Sequence, residues 1–158
     1  MIGLLRWAVW GFASTLVLTG MLAGSQQLRL TRFNLPFLLG TLVTADRDRA
    51  KLYGLGLHLL SGMLFSGLYV AAFAAWGQAS WWLGGLVGVL HAGFVLLVVL
   101  PVLPALHPRM ASESQGPTDV RQLEPPGLLG LNYGARTPVV TLIAHVVFGV
   151  LLGALYQL

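Results

Sequence analysis

The sequence predicts an all-α fold, a four-transmembrane-helix bundle forming one domain over residues 1–158, and three observations carry that expectation. Hydrophobic residues make up 56% of the chain and charged residues only 9%, where a soluble domain has about 45–50% and about 25%. Apolar runs recur over residues 4–23, 52–76, 82–102 and 139–158, each long enough to cross ~30 Å of hydrocarbon at about 1.5 Å per residue. Two stretches also repeat one pattern. His58-Leu-Leu-Ser-Gly62 leading to Tyr69, and His145-Val-Val-Phe-Gly149 leading to Tyr156, both read His-x3-Gly-x6-Tyr. They are preceded by Pro36-Phe-Leu38-Leu39-Gly40 and Pro126-Gly-Leu128-Leu129-Gly130. The bundle is therefore expected to consist of two parallel two-helix repeats, about 1–76 and 81–158, related by an axis along the membrane normal.

In the first run, Arg6 stands ahead of an apolar stretch ending in Ala23-Gly24-Ser25, the outline of a secretory leader. It is expected to be retained as a helix. The connection that follows holds residues 33–43, too short to span and too apolar to float in water, so it should lie in the membrane interface. Asp46 and Asp48 then sit at the start of the second helix, where the helix dipole favours acids. Ser80 is the expected N-cap of the third helix, and Pro101 and Pro104 are expected to close it. The fourth begins at Thr137-Pro138, read as a cap followed by proline at the first helical position. Between them, residues 103–136 hold five prolines and charges of both signs, an irregular loop whose residues 128–131 should touch the interface.

Charge placement gives an orientation. The net charge is +4, and Arg29, Arg32, Arg47, Arg49, Lys51, Arg109, Arg121 and Arg136 all lie in the first and third connections. By the positive-inside rule these connections are cytoplasmic and both termini face outward. Trp76, Trp81 and Trp82 at the opposite level agree, because amphipathic rings anchor at headgroups; Tyr69 and Tyr156 are expected to do the same. Asp46, Arg47, Asp48, Arg49, Glu124 and Arg136 are candidates for ion pairs across the two cytoplasmic connections or for a solvated rim.

Small residues mark the expected seams. Gly54, His58, Gly62 and Ser66 follow one another at i+4, as do Thr141, His145, Gly149 and Gly153, while Gly84 and Gly88 lead to His91. In lipid, close approach along such stripes supplies helix contact that the hydrophobic effect does not. All three histidines consequently point into seams at a similar depth. They either hold the bundle by interhelical hydrogen bonds, or form a cofactor site in which His58 and His145 ligate haem b or a transition metal with His91 nearby. No carboxylate or thiolate shares that depth, and the chain has no cysteine, so a closed zinc site is unattractive. A proton or ion path lacks an acid in any spanning segment.

No phosphate loop, nucleophile elbow or paired acids on one helix are present, so an enzyme is not expected. The basic residues are explained by topology, which leaves nucleic-acid binding unsupported. The segments Asn34-Leu-Pro-Phe-Leu-Leu-Gly-Thr41, Asp46-Arg-Asp-Arg-Ala-Lys51, His107-Pro-Arg-Met110 and Gly130-Leu-Asn-Tyr-Gly134 with Arg136-Thr-Pro138 resemble a family of small, uncharacterised bacterial integral membrane proteins. The resemblance implies residence in the bacterial inner membrane and no particular activity. The expected role is an accessory or structural subunit of a larger membrane complex, in contact with the bilayer and with other membrane proteins or a second copy of itself. The competing expectations are the haem or metal carrier and a small channel or transporter subunit.

Overall fold

Each helix is bounded by a local device that can be read from its residues. The computed structural model describes residues 2–112 and 114–156 and is all-helical, with no strand among them. Helix α1 (Ile2–Gln27) ends where the Leu30 N–H donates to the Ser25 carbonyl and the Arg29 N–H to the Gln26 carbonyl, both at 2.9 Å. This is a Schellman stop. Helix α2 (Leu35–Val43) starts with Asn34 accepting from the Phe37 N–H at 2.9 Å, and Pro36 sits in its first turn. Asp46 caps α3 (Arg47–Trp76) by accepting from the Asp48 and Arg49 N–H groups, and Gly77 ends it at φ 69°. A third apolar rod is formed by α4 (Trp81–Phe94), a π turn (Val95–Val99) and α5 (Leu100–Leu106). Helix α6 (Thr137–Leu155) closes the chain's described part.

Four helices are long and apolar enough to cross a membrane: α1, α3, the continuous Trp81–Leu106 rod and α6. Glycine decides how they meet. A Cβ on Gly84 would overlap the Gly149 carbonyl, one on Gly149 the Gly84 carbonyl, one on Gly88 the backbone of His145 and Val146, and one on Gly153 the Ser80 carbonyl. Helices α4 and α6 therefore touch backbone to backbone, which only hydrogen at those α-carbons permits. The two glycine pairs expected to serve as seams are partners of each other. Helix α1 lies against both α3 and α6. On α3, Gly62 faces Thr15 and Ser66 faces Gly11. Gly54 has a different partner: it lets the backbone of Pro36 approach, as Gly40 lets that of Ala50, and so lays α2 along the start of α3. The apolar segment 33–43 is thus a helix with a fixed partner.

The main core joins Leu18 and Leu22 of α1, Tyr69 and Phe73 of α3, Leu83 of α4, and Ala144, Phe148 and Leu152 of α6. A second core near α2 gathers Phe33, Leu38, Leu96, Leu100, Met110 and Tyr133. Outward faces carry large apolar side chains such as Leu5, Leu60, Leu64, Leu90 and Leu97.

Five expectations need correction or refinement. Pro101 and Pro104 do not close the third helix, which runs on to Leu106. The π turn just before them, in which the Leu100 N–H bonds the Val95 carbonyl, changes the hydrogen-bond register where proline can donate nothing. Thr137 is the first helical residue and not the cap, because its hydroxyl is bound 2.6 Å from that of Thr31. Ser80 does occupy the N-cap position but makes no side-chain cap bond. Tyr69 and Tyr156 are buried at 1% and 7% exposure and belong to the core, not to an interfacial belt. The two Pro-to-Gly pentads also differ in conformation: Pro36 to Gly40 is α-helical, whereas Gly127, Leu129 and Gly130 have φ of 70°, 55° and 74° within a short 3-10 segment (Leu128–Tyr133).

Candidate functional site: a buried histidine cluster

The i+4 stripes carry their histidines inward, so His58, His91 and His145 are all buried. Each comes from a different helix. The rings of His91 and His145 meet edge to face, with centroids 4.6 Å apart and planes at 84°. His91 also stacks on Phe65 at 3.9 Å and stands edge-on to Tyr69 and Phe148. The Tyr69 hydroxyl lies 3.3 Å from Nδ1 of His91, long for a hydrogen bond to a hydroxyl. Phe65 and Tyr69 share one face of α3, and His145 and Phe148 one face of α6. Helix α3 touches α4 and α6 at few backbone positions, so this ring cluster is what ties it to that pair.

The tautomer of His145 follows from its partner. Its Nδ1 is 2.7 Å from the Thr141 carbonyl, which only accepts, so Nδ1 carries the proton and Nε2 keeps a lone pair. His58 is different. Both of its ring nitrogens are buried without a hydrogen-bond partner, as are the hydroxyls of Ser14 and Thr141. An unsatisfied buried polar group costs about 1–3 kcal/mol, and such groups mark sites of ordered water, ions or ligands. Among the described residues His58 enters no ring contact, and the imidazole pair formed is His91 with His145. No three His, Cys, Asp or Glu side chains among the described residues converge to hold a metal ion.

The remaining expected seam residues fall on the buried faces: Gly54, Gly62 and Ser66 on α3, Gly84 and Gly88 on α4, and Gly149 and Gly153 on α6. Ser66 accepts from the Trp7 indole N–H at 2.8 Å and donates to the Met63 carbonyl. Sequence reasoning missed Tyr69 and Phe73 as members of the α3 stripe. The signal was present, since both continue Ser66 at helical spacing.

A second polar centre, also missed, lies at the α2 end. His107 is completely buried. Its Nδ1 accepts from the Arg109 N–H at 3.1 Å, so its Nε2–H donates toward the Leu38 carbonyl at 3.1 Å, with the Thr41 hydroxyl at 3.2 Å. Burial holds its pKa below the usual imidazole range, and the nearby Arg109 and Arg121 charges push the same way against the Leu38 hydrogen bond. Arg109 in turn donates to the Thr41 carbonyl at 2.6 Å, closing the end of α2. Across the same face Arg32 pairs with Glu124 at 2.9 Å, while Thr31 and Thr137 share a buried hydrogen bond. Burial, with the Glu124 charge in support, raises the Tyr133 pKa as its hydroxyl donates to the Glu124 carbonyl. Of the residues expected to pair across the connections, Glu124 alone does so among the described residues, and its partner is Arg32; Asp48 binds Lys51 within α3.

No family model, no curated protein and no solved structure matches the chain.

Proposed function

We propose that this chain is a multi-pass protein of a bacterial inner membrane, termini outside and the α2 end cytoplasmic, serving as an accessory subunit packed against other membrane proteins or a second copy of itself. The observation that carries the reading is how the glycines are divided. Gly84, Gly88, Gly149 and Gly153 are consumed inside the bundle, whereas Gly20, Gly56 and Gly93 have open space where a Cβ would stand. Small residues on outward faces of apolar helices let a foreign helix approach closely. A duplicated origin fits the packing: Gly62 faces Thr15 of α1 and Gly149 faces Gly84 of α4, while Gly40 and Gly130 each abut the start of the following helix, at Ala50 and Thr137.

The test uses photo-crosslinking in intact cells. A photoreactive residue at Leu60, beside Gly56 on the outer face of α3, should give a protein adduct of discrete mass. Lipid adducts alone would refute the subunit role. Because the chain has no cysteine, single cysteines at Gln78 and Ser112 report topology: an impermeant reagent outside the cell should label the first and not the second.

A second reading is favoured by one feature of the histidine cluster. His145 donates Nδ1–H to a backbone carbonyl, the arrangement that orients Nε2 toward a metal, and His58 offers two unpartnered nitrogens. Under this reading His58 and His145 hold haem b or a transition metal, with His91 beside them. The purified protein should then show a Soret shift and a sharp alpha band on dithionite reduction, or bound metal lost in both His58→Ala and His145→Ala. A colourless, metal-free sample refutes it.

A further inference from the structure

On the lateral face between α1 and α6, toward the α2 end, lies an open groove of about 350 Å³. Met21 and Gly24 line it from α1, Leu28 and Leu30 from the turn beyond, and Val140 and Ile143 from α6. Its lining is almost wholly apolar, and Gly24 deepens it because nothing lies within 4 Å of where its Cβ would be. The charge stands at one end only. Arg29 sits between the lining residues Leu28 and Leu30, and Arg136 precedes Val140 and Ile143 by four and seven residues, on the same helical face. The Thr31–Thr137 hydrogen bond fixes these two chain segments side by side. Both arginines are exposed, and neither has an ion pair or side-chain hydrogen bond among the described residues.

The backbone at Arg29 also departs from the usual pattern. It occupies the left-handed position of the Schellman stop at φ 56°, the place where glycine is favoured. The equivalent position at the end of α3 is Gly77. An arginine holds this conformation at a cost of roughly 1–2 kcal/mol.

We infer that the α1–α6 groove binds one anionic phospholipid, its acyl chain lying along Gly24, Val140 and Ile143 and its phosphate held between Arg29 and Arg136. An occupant that is apolar along its length and anionic at one end fits both parts of the site, whereas a wholly apolar partner helix would leave the two guanidinium groups without anions. The inference rests on the membrane reading above, which places the rim of the groove at headgroup depth.

Full-length protein in mild detergent, titrated with phosphatidylglycerol or phosphatidylcholine and read by native mass spectrometry, tests it. One phosphatidylglycerol should bind in preference to phosphatidylcholine. Arg29→Gln and Arg136→Gln should each weaken it about fivefold, and together roughly 25-fold, as expected for basic residues at an anionic headgroup. Gly24→Leu, whose side chain projects into open space and spares the fold, should weaken binding with both arginines intact. Arg49→Gln, an exposed cation elsewhere, should leave it unchanged. Equal binding of the two lipids, an Arg49→Gln effect as large as that of Arg136→Gln, or glycerol phosphate binding as tightly as the whole lipid would each overturn the inference. So would a protein adduct, with no lipid adduct, from a photoreactive residue at Ile143. Alkaline carbonate extraction separates the two readings: release from membranes defeats both, whereas retention with no lipid preference defeats this one alone.

Discussion

Replacing Gly84 by alanine tests the backbone seam that holds α4 to α6. The new methyl would collide with the Gly149 carbonyl and approach the Gly153 α-carbon at 3.1 Å. These are main-chain atoms inside helices, so neither can swing away. The collision is relieved only if the helices part, which also loosens the contacts of Gly88 with His145 and of Gly153 with Ser80. Overpacking of this kind costs about 1–3 kcal/mol, occasionally more, against a gain of about 1 kcal/mol from alanine's helix propensity. The expected net loss is about 0–2 kcal/mol, with the upper part of that range favoured because the atoms met are backbone. Gly93→Ala is the control of opposite sign: nothing lies within 4 Å of its Cβ, so only the propensity term remains and stability should rise. Gly85→Ala falls between, because its methyl meets only the Val150 side chain at 3.2 Å. Equilibrium unfolding in mixed micelles, followed by circular dichroism, measures all three. If Gly84→Ala proves as stable as Gly93→Ala, α4 and α6 do not meet backbone to backbone.

Four further outcomes follow from other contacts. Ser66→Ala strands the Trp7 indole N–H and should cost about 1 kcal/mol, measurable in the same unfolding assay. Thr31→Val should cost about 1–3 kcal/mol, since it leaves the Thr137 hydroxyl and the Phe33 N–H without their buried partner; Glu124→Gln, which removes only an exposed ion pair, should cost about 0–1 kcal/mol. His107 has a folded pKa below its unfolded value of 6.5, so as pH falls below about 6.5 the unfolded chain takes up the proton first. Its contribution is thus fully present above that pH and lost on acidification, and His107→Gln should flatten this part of the stability–pH curve relative to the unsubstituted protein. Arg29→Gly should raise stability by roughly 1–2 kcal/mol by relieving the left-handed backbone while weakening phosphatidylglycerol binding, a divergence that a purely structural arginine would not show.

How far the sequence could be read depended on whether periodicity or long-range pairing was at issue. The i+4 stripes placed His58, Gly62 and Ser66, and His145, Gly149 and Gly153, on buried faces, because helical geometry alone fixes which residues share a face. The partner of each stripe was not local information. That Gly54 meets α2 while Gly62 meets α1 depends on how a nine-residue helix folds back. Pro101 and Pro104 carried a strong stop signal that a π turn overrode, and no residue in Val95–Val99 announces such a turn. His107 was hidden for another reason. A lone histidine after a proline-containing helix end has no periodic neighbours, and its importance lies entirely in reaching Leu38 and Thr41, some 70 residues away in sequence.

The helices are joined by contacts of two kinds, and His91 and His145 sit where the kind changes. Helices α4 and α6 are locked backbone to backbone, and α1 is held to α3 by Thr15 against Gly62 and by the Trp7–Ser66 hydrogen bond. Helix α3 reaches α4 and α6 differently, through the rings of Phe65 and Tyr69 against His91 and Phe148. Such aromatic pairs contribute about 0.5–1.5 kcal/mol each beyond the area they bury and their side chains can repack, whereas the backbone contacts at glycine cannot shift unless the helices part. A small displacement of α3 would therefore be met by re-stacking of Phe65 and Tyr69 on His91 and Phe148 before the α4–α6 seam opens. His58 stands apart from these rings on the same helix, so a change at its bare nitrogens would reach α4 and α6 only through the position of α3.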